Sequence, residues 1–514
     1  MAEREKFANT IVSGYECKGD FIVLGAATLD GTVLPEALVK APLKTFNRHG
    51  LIAGATGTGK TKTLQVISEQ LSAKGVPVLM MDIKGDLSGI AKPGSTNAKI
   101  EERHQQLGIS WTASGNPVEF LTLSKENGAR LRATVSEFGP VLFSKILGLN
   151  DTQEGVVAII FKYCDDNGYP LLDLKDFKKV MRYITEQGKD EVEKTYGKVS
   201  TATTSTILRK IIELEQQGAE IFFGERSFQV DDLLRTDENG KGMISILRLT
   251  DIQDKPKLFS TFMLCLLAEI YATFPEEGDS GRPKLVIFID EAHLIFEEAS
   301  KALHNQIETI IKLIRSKGVG IFFCTQNPTD IPDDVLAQLG MKVQHALRAF
   351  TAKDRKQIKL TAENYPITEF YDTENIITSL GMGEALVTVL SEKGNPTPLA
   401  ATMLQAPASR MDVLSSEEIQ EIIGKSFLAK KYNDVIDRES AFEMLNKKLG
   451  GNNSATPNAT NQPNTTSNKQ PEPSMIEKGA NVVGDFAKSS TGKILIREVT
   501  RGLLGVLGLT SRRR

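Results

Sequence analysis

The stretch Gly54-Ala55-Thr56-Gly57-Thr58-Gly59-Lys60-Thr61-Lys62 has the residue types and spacing of a phosphate-binding loop. Gly54, Gly59, Lys60 and Thr61 satisfy G-x-x-x-x-G-K-[ST] at every fixed position. Glycines let a backbone turn its N–H groups inward, with no side chain to block phosphate oxygens. A helix opening near Lys60 adds its positive N-terminal end. In this reading residues 54–62 cradle a nucleoside triphosphate, Lys60 reaches the β- and γ-phosphates, and Thr61 offers a hydroxyl to Mg2+. The bland alternative is a glycine-rich turn. The context argues against it, because the motif follows the apolar Leu51-Ile52-Ala53 and precedes a helical stretch.

A nucleotide cradle calls for acidic groups at the end of another strand. Five apolar residues, Leu285 to Ile289, lead into Asp290 and Glu291. Open α/β sheets bind ligands at that carboxyl edge. Asp290 is expected to hold Mg2+ through water, and Glu291 to orient and deprotonate an attacking water. Alone, the pair could be an acidic turn; beside the cradle it reads as chemistry. A third strand, "GIFFC", ends at Thr325 and Gln326. Gln326 there could sense the γ-phosphate or position water, or be a turn residue. Asp82, Lys84 and Asp86 follow the apolar "VPVLMM", where they either line the same edge or solvate a loop. The five histidines are scattered and give neither zinc spacing nor a Ser-His-Asp triad. "CDDNG" at 164–168 lacks the alternating ligands of a calcium loop.

The elements that must position these residues are legible from periodicity. Strand, glycine loop, helix and strand succeed one another over residues 51–100, and the pattern resumes after about 240. This predicts an α/β fold, a P-loop sheet with helices on both faces. "GEALVTVL" at 383–390 reads as the final strand. Residues 1–40 hold a short N-terminal β-element and 41–405 a core, with a helical insertion at about 124–240 whose segments each end on glycine. A helical extension follows at 406–449. Residues 450–474 are too polar to bury a core and are expected to be a disordered linker. Residues 475–514 carry Ile496, Val499, Leu503 and Leu507 at helical spacing with Arg497 and Arg501 between, an expected amphipathic helix.

A chain of 514 residues exceeds what one core usually accommodates. Its net charge of −3 is no general lure for nucleic acid, so such binding needs a local basic patch. Cys17, Cys164, Cys265 and Cys324 have no metal-ligand spacing and read as reduced thiols. No apolar run approaches the ~20 residues of a membrane span, and the N-terminus lacks a signal core. A cytoplasmic protein with no transmembrane segment is expected.

"GATGTGKT", "FIDEAH" and "CTQNP", in that order around a long helical insertion, resemble the HerA/FtsK branch of P-loop ATPases, in particular the YjgR-like bacterial proteins described as HerA-helicase-like. The resemblance covers about residues 40–405 and the Gly-Leu-Leu-Gly element near the C-terminus. It implies an ASCE-type (RecA-like) fold with the glutamate-bearing strand beside the cradle strand. It also implies ATP and Mg2+ as cofactors, ATP hydrolysis, a homo-oligomeric hexameric ring, and DNA as partner. By position Lys60 and Thr61 match the phosphate lysine and magnesium hydroxyl, Asp290 and Glu291 the metal aspartate and catalytic base, and Gln326 the polar sensor. Such rings need an arginine from a neighbouring subunit; Arg315, Arg348 and Arg355 are the candidates. Two classes stay open beside a DNA motor: a nucleotide-gated switch acting on a protein partner, and a small-molecule kinase, which the Asp290–Glu291 pair fits less well.

Overall fold

A computed structural model of the chain describes residues 2–451, apart from 125, 253–254, 279, 297–300, 435 and 437. The expected linker and C-terminal amphipathic helix, from residue 452 onward, lie outside the described residues.

The chain opens on helix α1 (Ala2–Gly14), then β1 (Phe21–Leu29), β2 (Thr32–Pro42) and the cradle strand β3 (Gly50–Ala53). Helix α2 (Lys60–Ala73) leads to β4 (Val78–Asp82), α3 (Ala98–Leu107), β5 (Val118–Thr122) and β6 (Ala129–Arg130). Five helices come next: α4 (Val135–Leu147), α5 (Asp151–Asn167), α6 (Leu174–Thr185), α7 (Lys189–Tyr196) and α8 (Thr201–Gln216). The sheet resumes with β7 (Ile244–Arg248), α9 (Pro256–Thr273), β8 (Leu285–Ile289), α10 (His293–Phe296), α11 (Lys301–Ile314) and β9 (Val319–Thr325). It continues through α12 (Asp333–Leu336), β10 (Met341–Gln344), α13 (Ala352–Glu363), α14 (Thr373–Ser379), β11 (Glu384–Thr388) and β12 (Ala400–Leu404). Three helices close the described chain: α15 (Ser416–Lys425), α16 (Phe427–Tyr432) and α17 (Ala441–Gly451).

Among the described residues the strands form one sheet in the order β2-β1-β12-β11-β10-β3-β9-β8-β4-β7-β5-β6. From β10 to β6 every pairing is parallel, and the β2-β1-β12-β11 flank is antiparallel, joined to β10 by an antiparallel pair. Successive side chains of a strand point to opposite faces, and here both faces are covered. Leu285, Ile287 and Ile289 of β8 join one core with Phe143, Phe161, Phe177, Met263 and Ile311 from α4, α5, α6, α9 and α11. Val286 and Phe288 join the other with Phe7, Ile11, Leu64, Ile67 and Leu71 from α1 and α2. All five β8 residues are buried, which explains an unbroken apolar run where a half-exposed strand would alternate. Burying each such side chain contributes about 1.5–3 kcal/mol. No helix among the described residues is long and apolar enough to cross a membrane.

The α/β sheet with helices on both faces is the architecture expected from the sequence. Three particulars differ. β9 lies between the cradle strand and the glutamate-bearing strand, so β3 and β8 are not neighbours. β11 is followed by a further strand, β12, which carries the flank on to β1. Helix α1 was not anticipated. Its polar sequence hides an anchor, Phe7, fully buried, whose ring centroid is 5.1 Å from Phe370 and 5.6 Å from Tyr371.

Candidate active site

The loop between β3 and α2 is fixed from several sides. Gly54 N donates to the Thr325 carbonyl at the end of β9 (3.2 Å), and Ala55 N to the Ala346 carbonyl just past β10 (2.8 Å). Three glycines supply the turn, with φ of 151° at Gly54, 77° at Gly57 and 116° at Gly59. A side chain at Gly54 would also place its Cβ 2.5 Å from His345 Cβ, so backbone conformation and space both require glycine there. Thr58 and Gly54 are buried, while Thr56 and Gly57 are exposed at the tip. Lys60 Nζ donates to the Gly54 carbonyl (2.6 Å) and to Ala55 (3.2 Å), back across the loop it follows. Burial lowers its pKa, and the nearby Lys84 ammonium lowers it further, against the pull of Glu291 and Asp290.

The acidic pair reaches the same edge. Parallel register sets Ala53 beside Thr325, and Phe323 beside Ile289. Asp290 and Glu291 therefore emerge level with the end of β9, two strands or about 10 Å across from the cradle strand. Both are buried, at 7% and 6% exposure. Asp290 Oδ2 takes no hydrogen bond among the described residues. Burial raises the Asp290 pKa to about 6, with Glu291 and Asp86 adding to the rise and Lys84 opposing it. Glu291 sits at φ 46°, a left-handed conformation that costs a non-glycine residue about 1 kcal/mol or more. The turn is held by Ala292 N donating to the Cys324 carbonyl (3.0 Å) and Leu294 N to that of Glu291 (3.0 Å).

The loop after β4 completes the cluster. Asp82, buried, accepts from the amides of Gly85 (2.7 Å), Asp86 (3.1 Å) and Leu87 (3.3 Å), which folds the loop into a fixed turn. Burial and the neighbouring Asp86 raise the Asp82 pKa to about 7, over the opposing effect of the Leu87 and Gly85 amides. The turn brings Asp86 to Thr61, whose hydroxyl donates to Oδ2 (3.3 Å), and the Lys84 ammonium to the Glu291 carboxylate. Of the two readings open for Lys84 and Asp86, the geometry favours lining the site.

The remaining sequence candidates fall in different places. Gln326 is exposed, one residue past the end of β9. The Lys62 ammonium points to the Met411 carbonyl and to Gln65 Oε1 (3.4 Å). Arg348 lies beyond the carboxyl end of β10, exposed, donating to the Thr378 carbonyl (2.9 Å); Arg355 is exposed on α13. Arg315 precedes β9 and so belongs to the opposite edge of the sheet from this chain's own cradle.

Sequence reasoning missed two supports. His345 Nε2 meets Thr63 Oγ1 (2.9 Å) beneath the loop; burial first, then Lys60, lowers its pKa to about 4, leaving it neutral. Arg103 of α3 donates to the carbonyls of Gly383 (3.1 Å), Leu404 (2.9 Å) and Met382 (3.0 Å), while Gly383 N donates to the Thr58 carbonyl (3.0 Å). The Thr63–His345 and Arg103–Gly383 bonds join residues 282 and 280 positions apart, and no local motif signals them. Oxygen donors suit Mg2+, and the Thr61 hydroxyl with the buried, unpaired Asp290 oxygen fits it. Among the described residues no three His, Cys, Asp or Glu side chains form a metal cage.

Known proteins resemble this chain along most of its length. A family model described as "Helicase HerA-like C-terminal" matches residues 30–514. "DNA double-strand break repair helicase HerA" of Sulfolobus acidocaldarius is 22% identical over 357 residues, covering 68% of this chain and 64% of the relative. Its namesake in Saccharolobus solfataricus is 24% identical over 363 residues, covering 68% and 63%. "DNA import protein CedB" of Sulfolobus acidocaldarius is 23% identical over 361 residues, covering 69% and 52%. The chain thus spans less than two thirds of the length of these relatives. Among solved structures, "Bacterial conjugative coupling protein TrwBdeltaN70" in complex with sulphate superposes with a TM-score of 0.50 at 16% identity, covering 79% of this chain and 94% of that one, a likeness of fold.

Proposed function

This chain belongs to the Helicase HerA-like C-terminal family, and from that premise we propose that it is an ATP-hydrolysing motor of the HerA/FtsK type that acts on DNA as a homo-oligomeric ring. The observation that carries the reading is the convergence of Lys60 and Thr61 with Asp290 and Glu291 at one sheet edge, although 229 positions separate Thr61 from Asp290 in the chain.

The division of labour follows from the side chains. Residues 54–62 cradle the phosphates, with the amides of Gly57, Gly59, Lys60 and Thr61 as donors while those of Gly54 and Ala55 fix the loop to β9 and β10, and Lys60 exchanges its loop carbonyls for phosphate oxygens. Thr61 and Asp290 would hold Mg2+, which when bound neutralises charge on the phosphate oxygens. Glu291 accepts a proton from the attacking water, and Gln326, at the tip of β9, contacts that water or the γ-phosphate. Arg348 or Arg355 serves a neighbouring subunit's site, since both are exposed at the carboxyl edge; Arg315 is the weaker candidate, sited at the far edge. Residues 41–405 act as the motor core, in the cytoplasm. The YjgR-like bacterial branch remains part of this proposal and rests on the order of the three motifs.

The test is ATP turnover by the purified full chain with and without double-stranded DNA, at two salt concentrations, alongside particle images. Turnover that rises with DNA, with salt-sensitive binding and ring-shaped particles, supports the motor. ATP hydrolysis indifferent to DNA, without salt-sensitive DNA binding, would give the chain to the alternative, a nucleotide-gated switch on a protein partner. Absence of any Mg·ATP binding by calorimetry would end both readings.

A further inference from the structure

Glu291, the base in the reading above, has two side chains of its own chain close against its carboxylate, although neither of its oxygens accepts a hydrogen bond among the described residues. The Lys84 ammonium is against Oε1, and His293 Nδ1 is 3.3 Å from Oε2. Lys84 comes from the loop after β4, so its contact with Glu291 is not a local turn, whereas His293 is two residues on in the same turn. The loop carrying Lys84 is rigid by construction: three of its amides converge on the Asp82 carboxylate. It also passes through Gly85 at φ 77°, where a side chain would meet Thr250 Cγ2 at 3.0 Å. The Glu291 backbone is itself held in the left-handed region, an energetic cost that persists only when the surroundings enforce it.

An ammonium seated against the Glu291 carboxylate takes the place that the attacking water would need there, so on that side the paired side chain is out of reach of the water's proton. The pair is also shielded, since the Glu291 side chain is only 7% exposed. Lys84 is 38% exposed, so its ammonium can leave for solvent or another anion while Glu291 stays in place. The ammonium also lies close enough to Lys60 to oppose its charge. Two cations thus crowd one edge with Glu291 between their demands.

We propose that Lys84 is a positioning residue that restrains Glu291 in a non-reactive state, and that turnover requires the Lys84–Glu291 pair to open. The proposal rests on Glu291 being the base. It names Lys84 as the group through which a bound partner, by drawing the ammonium away from Glu291, could set the rate.

Two experiments on the full chain test it. In the absence of nucleotide, a lysine-acylating reagent read by mass spectrometry should modify Lys84 several-fold more slowly in the unaltered protein than in Glu291→Gln, with exposed Lys425 as internal reference. Equal rates would mean that no restraining pair exists in solution, whatever the catalytic roles. In steady-state kinetics, Lys84→Ala should raise basal kcat by about threefold to tenfold with KM little changed, and shrink any stimulation by DNA. Lys84→Arg, keeping a cation on a long stem, should bring the rate back down relative to Lys84→Ala. An unchanged or lower kcat in Lys84→Ala overturns the restraint. If instead Glu291→Gln hydrolyses ATP as fast as the unaltered protein, the assignment of the base has failed rather than that of Lys84, and the labelling result still judges the pair.

Discussion

The two ends of β3 are built on opposite terms. At its N-terminal end His49 is fully matched: Ile321 N donates to Nδ1 (3.0 Å), so the ring proton sits on Nε2 and is donated to the Ile311 carbonyl (2.9 Å). Burial lowers the His49 pKa to about 4, and the ring ties β3, β9 and α11 together as a neutral group. At the C-terminal end the chain accepts glycines with positive φ, a left-handed Glu291, an unpaired Asp290 oxygen and crowded like charges. Only packing elsewhere can sustain these, and the two cores that sandwich the sheet provide it. The contrast teaches that one end of a parallel sheet can be optimised for stability while the other is held ready for a ligand.

Substitutions should therefore separate along that axis, the largest effect coming first. Glu291→Gln should keep Mg·ATP affinity and lose turnover by about 10²–10⁴-fold, the usual worth of a general base. Lys60→Ala should lose binding itself, as read by calorimetry. Equal loss of binding in both variants would erase the division between cradle and base. His49→Phe leaves Ile321 N and the Ile311 carbonyl without partners and should cost about 2–4 kcal/mol in denaturant unfolding. Its nucleotide affinity in the folded protein should stay within about twofold of the unaltered chain, since the change lies at the far edge. A loss of affinity without a loss of stability would break the comparison.

Gly54→Ala makes the reciprocal test. Its Cβ would collide with His345, so nucleotide affinity should fall at least tenfold while stability drops by about 1–3 kcal/mol. A variant that binds normally would show that the loop does not need its glycine.

A more gradual effect is in the pH dependence of unfolding. His49 and His345 both titrate near 4 in the fold, below the ordinary value of 6.5. As pH falls from 6.5 toward 4, the unfolded chain takes up protons that the folded one refuses, so each histidine withdraws stability, up to about 3 kcal/mol. Asp82 and Asp290, raised to about 7 and about 6, act in the other direction. As pH falls from those values toward 3.8, the folded chain binds protons first and gains stability. His49→Phe should accordingly remove up to one proton from the slope of stability against pH between 6.5 and 4. An unchanged slope would mean that His49 is protonated in the fold.

Legibility in the sequence followed the range of the interactions. The loop between β3 and α2 could be read because its glycines, lysine and threonine are consecutive, and the strand-end position of Asp290 and Glu291 because a five-residue apolar strand announces its own end. Lys84 and Asp86 were visible as candidates but not as partners of Glu291 and Thr61. Arg103 and His345 gave no signal, since an arginine on a polar helix and a histidine after a strand are ordinary in isolation. Helix α1 was obscured by its charge, with Phe7 and Ile11 as its only large buried side chains within 2–14.

By itself the sequence determined many of the local shapes: the strand, loop and helix over residues 51–73, where the glycine loop turns, and which strand carries acids at its tip. These depend on the steric freedom of glycine and on apolar periodicity, both fixed within a few residues. Only the tertiary structure decided that β9 separates the cradle from the acids and that Lys84 meets Glu291 from 207 positions away. Strand order and such ion pairs are set by how buried faces pack across the whole sheet, and no short window of sequence contains that energy.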